Sequence, residues 1–176
     1  KIEEIPLFHG NDQSFYKEAS KHLLSIKCSS KSIIFNEDEF LKSGSYILKS
    51  GIVVISKVNK FGFETSVAVK YSGELFGWST SIDGGPTSGK ATAIIDSEYW
   101  FVPHLFVKDL LENKYFTKNL LKYLMNYIRT NENFITNVHS TSALEKVLFQ
   151  IMRISTPNNS NDTSTLHYSF NQGIIS

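Results

Sequence analysis

The sequence is poor in cysteine. It has one cysteine, Cys28. An internal disulfide, a four-cysteine iron–sulfur cluster and a cysteine-rich zinc site are therefore excluded. A lone thiol fits a reducing compartment, and the cytoplasm is the expected location. An excess of charge of one sign is missing too: 18 Lys and Arg against 17 Asp and Glu leave a formal net charge of +1. That balance gives no chain-wide electrostatic footprint for nucleic acid. No apolar run reaches the ~18–20 residues needed to span a bilayer, so no membrane partner is expected. Lys1-Ile2-Glu3-Glu4 is not followed by the apolar region of a signal peptide. There is no P-loop, nucleophile elbow or metal-ligand spacing. No catalytic residue and no metal site is assigned, and the chain is not read as an enzyme.

What is present supports a folded core. Hydrophobic residues make up 41% and aromatics 13% of 176 residues, enough for one domain, or one domain and a fragment of a second. Asp12–Ile26 carries Phe15, Ala19, His22, Leu23 and Ile26 at helical spacing, which predicts a short amphipathic helix. His22 lies beside its apolar stripe, as a packed or solvated side chain rather than a ligand. From Lys31 the period changes. Ser32–Phe35 reads as a strand, and Asn36-Glu37-Asp38-Glu39 as an acidic, solvated turn rather than a metal site. Ser45–Ser56 reads as two strands broken at Ser50-Gly51. Val58–Gly62 is a hairpin turn, and Glu64–Tyr71 alternates as a strand. Ile94–Pro103 closes the series, with a turn at Asp96-Ser97. Short strands with turns every ~8–12 residues point to a β-barrel or roll.

The stretch Tyr71–Ala93, YSGELFGWSTSIDGGPTSGKATA, is the candidate ligand segment. Its pattern predicts a short helix opened by Gly73 and Glu74 between two strands. The free backbone N–H groups of such a helix can hold an anion or a polar ligand. Gly84-Gly85-Pro86 reads as a turn and Ala91-Thr92-Ala93 as a strand of small residues. No histidine falls within the segment, which argues against haem.

Beyond Pro103 the character is helical. His104–Leu111 is a short helix and Phe116 to about Val138 a long one. Leu121, Leu124, Ile128, Asn131, Ile135 and Val138 are spaced 3, 4, 3, 4 and 3 apart, a heptad seam with one polar member. A long helix after a roll has few partners in its own chain. The seam therefore predicts a parallel homodimer, with Asn131 fixing register. Core packing within one chain is the alternative. Ser142–Glu145 is a capping-box pattern that starts a further helix, and Thr156–Thr165 is a polar linker or loop. The chain stops as Asn171–Ile175 begins to look helical, which reads as a fragment.

In their order, several runs resemble the CRP/FNR family of bacterial transcription regulators, named for the cyclic-AMP receptor protein. They are Ile5-Pro6-Leu7-Phe8, Tyr46–Gly51, Phe61-Gly62-Phe63-Glu64, Gly73-Glu74-Leu75-Phe76-Gly77, Ala91-Thr92-Ala93, Ser142–Met152 and Ser169–Ile175. The resemblance covers nearly the whole chain and implies an α+β fold. That fold is an antiparallel β-roll of the jelly-roll, cyclic-nucleotide-binding type, flanked by helices. It implies an effector domain over 1–114, a dimerisation helix over 115–139 and the beginning of a winged helix-turn-helix over 140–176. Asn171 and Gln172 are the DNA-binding residues this piece would supply.

The departures concern the ligand. Cyclic-nucleotide binders of the family keep an Arg after the Gly-Glu-Leu helix, six residues before an alanine. Counting back from Ala93 puts Thr87 there, in Thr87-Ser88-Gly89. A neutral hydroxyl gives no bidentate, charge-assisted grip on a phosphate, and Lys90 faces the other side of a strand. The Thr-Ser pair that reaches adenine falls near Ile128 and Arg129. Glu74, expected at the ribose, is retained. The expected effector is therefore a small molecule other than cyclic AMP. Its site would be Gly73, Glu74, Leu75, Phe76, Gly77, Trp78, Thr87, Ser88 and Gly89 with the helix face at Tyr127 and Ile128. Phe76 and Trp78 would make that cavity more apolar. The expected partners are a second copy of the chain, double-stranded DNA and RNA polymerase. The alternative is a sensor or interaction module with no DNA-binding activity of its own.

Overall fold

The computed structural model describes residues 1–40 and 44–140, with 133–140 by backbone alone. The elements are α1 (Gln13–His22), β1 (Leu24–Cys28), β2 (Ile33–Phe35), β3 (Gly44–Ser50), β4 (Val53–Val58), β5 (Glu64–Lys70) and β6 (Leu75–Phe76). They continue with α2 (Ser79–Asp83), β7 (Lys90–Ala93), β8 (Ser97–Pro103), α3 (His104–Glu112) and α4 (Lys114–Ser140). The strands form two antiparallel four-stranded sheets, ordered β1-β8-β3-β6 and β2-β7-β4-β5. This is the α+β roll with flanking helices that the turn spacing and the resemblance predict.

The first helix is shorter than its pattern. Asp12 caps it by accepting the Phe15 N–H at 2.9 Å. It ends at His22, and the segment expected to continue it to Ile26 is instead β1, with Leu24 opposite Phe101 and Cys28 opposite Ser97. Leu23 and Ile26 fit a helical period, but so few residues fit other periods as well. Pairing with β8 satisfies their backbone groups and decides the matter. His22 stacks on Phe106 with centroids 4.6 Å apart and bonds Glu18 at 3.1 Å, a packing role.

Alternation along the strands divides inside from outside. Tyr46 and Leu48 of β3 and Tyr99 of β8 enter the core with Phe35, Val53, Phe76 and Ala91. Their neighbours Ile47 and Val102 are fully buried on the other face, which α3 covers with Phe106, Val107 and Leu110. Gly51 turns the chain from β3 to β4 at φ +100°, where a Cβ would lie 2.1 Å from Ser97 Oγ. Only glycine fits that corner.

Contacts divide the chain into a unit Lys1–Lys122 and a second from Tyr123. The start of α4 belongs to the first unit because Phe116 and Leu120 are buried there. The Phe116 ring lies 5.6 Å from Trp78 and 5.9 Å from Phe8. In the second unit, Leu124, Met125, Tyr127 and Ile128 of α4 are exposed. Among the described residues no helix is long and apolar enough to cross a membrane. The expected Ser142–Met152 helix, the Thr156–Thr165 segment and Asn171 and Gln172 lie outside the described residues, as do the side chains of Ile135 and Val138.

Candidate ligand site of the roll

The segment expected to open a helix at Gly73 and Glu74 does not do so. Gly73 (φ +86°) and Glu74 form a turn that clips onto β3: Gly73 N–H donates to Leu48 O at 2.7 Å, and Leu48 N–H donates to Glu74 O at 3.0 Å. The Glu74 carboxylate closes the turn by accepting the Tyr71 N–H at 2.8 Å. Leu75 and Phe76 then pair with Ile47 and Tyr46 as β6. The helix, α2, begins only at Ser79, with Trp78 at its N-cap and no side-chain cap. An acidic residue at the helix opening is thus replaced by an indole, and Glu74 is engaged elsewhere. The helix runs five residues and stops at Gly84, whose φ of +75° suits a glycine.

The two rings expected at an apolar cavity, Phe76 and Trp78, are both packed against other rings. Phe76 is 3% and Trp78 6% exposed. Phe76 stacks on Tyr46 at 5.1 Å, Tyr46 on Phe35 at 5.5 Å, and Tyr99 meets Tyr46 edge-on at 5.4 Å. Burial pushes the phenols of Tyr46 and Tyr99 above the usual range. The Trp78 indole N–H donates to Tyr46 O at 2.9 Å. Ser45 ties α2 to β3 through the Ser81 hydroxyl at 2.6 Å.

Thr87 has the most constrained position of the segment. It is 2% exposed. Its hydroxyl donates to Asn36 O at 2.6 Å and accepts the Glu39 N–H at 2.9 Å. Its backbone N–H donates to Glu39 O at 2.7 Å, and its carbonyl accepts from Asp38 N–H at 3.0 Å. Four bonds thus latch it into the acidic turn, and the hydroxyl keeps no free donor for a ligand. That turn is itself tied. Glu39 accepts from the Asn36 side chain and backbone N–H, which hold its carboxyl below the usual range, the side-chain bond most. Glu37 accepts the Val58 N–H. Among the described residues no group of three or more His, Cys, Asp or Glu is placed to hold a metal.

The neighbours of Thr87 follow the same logic. Ser88 is exposed, while Gly89 is buried with Ser56 O 2.8 Å from where a Cβ would stand. Lys90 pairs with Glu64 at 2.6 Å, and the lysine with the Ser56 hydroxyl holds the Glu64 carboxyl low. Arginine occurs in this chain only at Arg129 and Arg153, so the roll unit has no guanidinium at all. Tyr127 and Ile128 belong to the second unit. Sequence pattern does not single out Lys70, a buried charged residue on β5 opposite Val53. Its only signal was its place on the same strand face as Ala68.

Residues 26–114 match the cyclic nucleotide-binding domain family. Curated proteins yield no match. Among solved structures, the catabolite activator protein of Thermus thermophilus aligns with a TM-score of 0.64 and 24% identity, over 74% of this chain and 62% of that one. The c-di-GMP responsive global regulator CLP of Xanthomonas campestris aligns with 0.69 and 12%, over 84% and 74%. The regulatory subunit of a cAMP-independent protein kinase A from Trypanosoma brucei aligns with 0.54 and 15%, over 69% and 48%. The chain thus spans about three fifths of the length of the catabolite activator protein. At these identities the structural likeness is one of fold. The match over half the chain, on the roll described above, places this protein in the cyclic nucleotide-binding domain family.

Proposed function

We propose that the chain is the effector part of a CRP/FNR-type transcription regulator. It pairs through α4 into a parallel homodimer and reads a pseudo-palindromic DNA site, half-sites about one helical turn apart, through a C-terminal domain. It does so when a small molecule other than cyclic AMP occupies the roll. Ligand binding shifts the dimer between two states for which the ligand has different affinities. RNA polymerase is the proposed further partner, the cytoplasm the location, and no residue is given a catalytic role.

The observation that carries this reading is the apolar seam of α4. Leu121, Leu124 and Ile128 are 55%, 37% and 46% exposed, a stripe at coiled-coil spacing left uncovered among the described residues. Asn131 stands next in the seam; its amide bonds Tyr127 O at 2.9 Å in the single chain. Asn131, Ile135 and Val138 are proposed to extend the interface. The likeness to CLP supports the reading, since 84% of the chain is more than the roll unit contains.

One feature opposes cyclic AMP in particular: the Thr87 latch stands where a phosphate grip is needed. Calorimetry of the chain with cyclic AMP up to about 1 mM is expected to show no saturable heat. Micromolar binding would overturn the ligand part alone. The regulator reading itself is tested by gel shift and footprinting of the full-length protein on genomic fragments, with and without small molecules from cell extract. Protection of a two-fold symmetric site that depends on the extract is the expected result. No specific binding under any condition would overturn it. That result would favour the sensor-module reading, which the likeness to a kinase regulatory subunit described as cAMP-independent supports.

A further inference from the structure

The interior is not the only place where the roll can meet a small molecule. Along β8, Tyr99 and Phe101 pack toward the core, so the alternate residues Glu98 and Trp100 face the other side of the sheet. There α1 and the chain's first residues stand off from the sheet and leave a cleft of about 510 Å³. That volume suits a small organic ligand. Its floor is the Trp100 ring. Lys49 Nζ lies 4.7 Å from that ring's centroid and 2.6 Å from Glu98 Oε1, and Glu98 also accepts the Ser25 hydroxyl. Gln13 and Lys17, one helical turn apart on α1, form the facing wall.

The polar groups sort by what they already bind. The Tyr16 hydroxyl donates to Phe8 O and the Ser20 hydroxyl to Lys17 O, so neither hydrogen is free for a ligand. Lys17 makes no ion pair among the described residues. Lys49 shares one carboxylate and keeps further N–H donors. Glu3 lines the rim and disfavours a multiply charged anion. The cleft therefore offers an indole face and the ammonium groups of Lys17 and Lys49, with Lys1 beside Glu3 at its rim, and no arginine. That chemistry matches one flat ring and one singly charged carboxylate.

We propose that this outer cleft binds a small aromatic carboxylate, its ring on Trp100 and its carboxylate between Lys17 and Lys49. The assignment does not depend on what the roll interior holds or on DNA binding. It is tested with 4-hydroxybenzoate as probe. The two tryptophans give two indole N–H resonances in heteronuclear NMR, assigned with Trp100→Phe. The Trp100 resonance is expected to move saturably and the buried Trp78 resonance to stay. Lys17→Ala is expected to weaken binding about ten-fold with the free spectrum unchanged, and Lys17→Arg to restore most of it. Uncharged 4-hydroxybenzyl alcohol is expected to bind about ten-fold more weakly. No saturable movement of the Trp100 resonance up to about 10 mM probe would overturn the proposal. Binding indifferent to Lys17→Ala would overturn it equally.

Discussion

Thr87→Val is expected to lower the thermal midpoint of the ligand-free chain by about 10 °C. Valine has nearly the shape of threonine, so the loss isolates the hydroxyl. Two bonds disappear together, the one to Asn36 O at 2.6 Å and the one from Glu39 N–H at 2.9 Å. Each leaves a part-buried backbone group without its partner, at a cost of about 1–3 kcal/mol. The acidic turn then loses its hold on the loop before β7. Thr87→Ser keeps the hydroxyl and is expected to retain most of the stability. Exposed Ser88→Ala is expected to change it by about 0.5 kcal/mol or less. Calorimetric unfolding of the four proteins reads this directly. If Thr87 instead served a ligand, valine would leave the ligand-free midpoint in place and weaken only ligand binding. An unchanged midpoint would therefore show that the latch is not formed in solution.

Leu124→Glu combined with Ile128→Glu is expected to convert the proposed dimer to a monomer at tens of micromolar, read by light scattering as a halved mass. In a symmetric pair the two substitutions act four times. Each removes a side chain whose burial is worth about 1.5–3 kcal/mol and places a carboxylate against the same carboxylate of the other copy. The loss exceeds about 5 kcal/mol, several orders of magnitude in the dissociation constant. Both side chains are exposed in the single chain, so the monomer should keep its fold and its unfolding transition. A dimer that survives would mean the seam is not the interface. A monomer that also fails to protect DNA would tie pairing to function.

The chain's own order of residues sufficed for β2, β3, β4, β5, β7 and β8, though not for β1 and β6, and the reason is local. Gly51 at φ +100° and the Val58–Gly62 hairpin mark turns that side-chain chemistry imposes, whatever lies across the sheet. The helix from Lys114 to Ser140 is likewise carried by its own periodicity, while the exposure of Leu124 and Ile128 is seen only in the structure. The absence of any arginine before Arg129 is a property of composition alone, and it limits the ligand chemistry of the roll without coordinates.

Tertiary structure decided the rest, because the deciding partners are far apart in the chain. Leu24–Cys28 became a strand rather than the end of a helix because β8, more than 60 positions on, offered its backbone edge. Gly73 and Glu74 became a turn rather than a helix opening because Leu48 bonds both. Phe76 and Trp78 are packed because Phe35, Tyr46 and Tyr99 converge on the first and Phe116 on the second. Thr87 became a latch because the fold brings Asn36, 51 positions away, to its hydroxyl. Periodicity and turn chemistry act over a few residues and can be read along the chain. Which polar groups are spent, and which rings fill a space, depends on contacts that exist only once the two sheets close on each other.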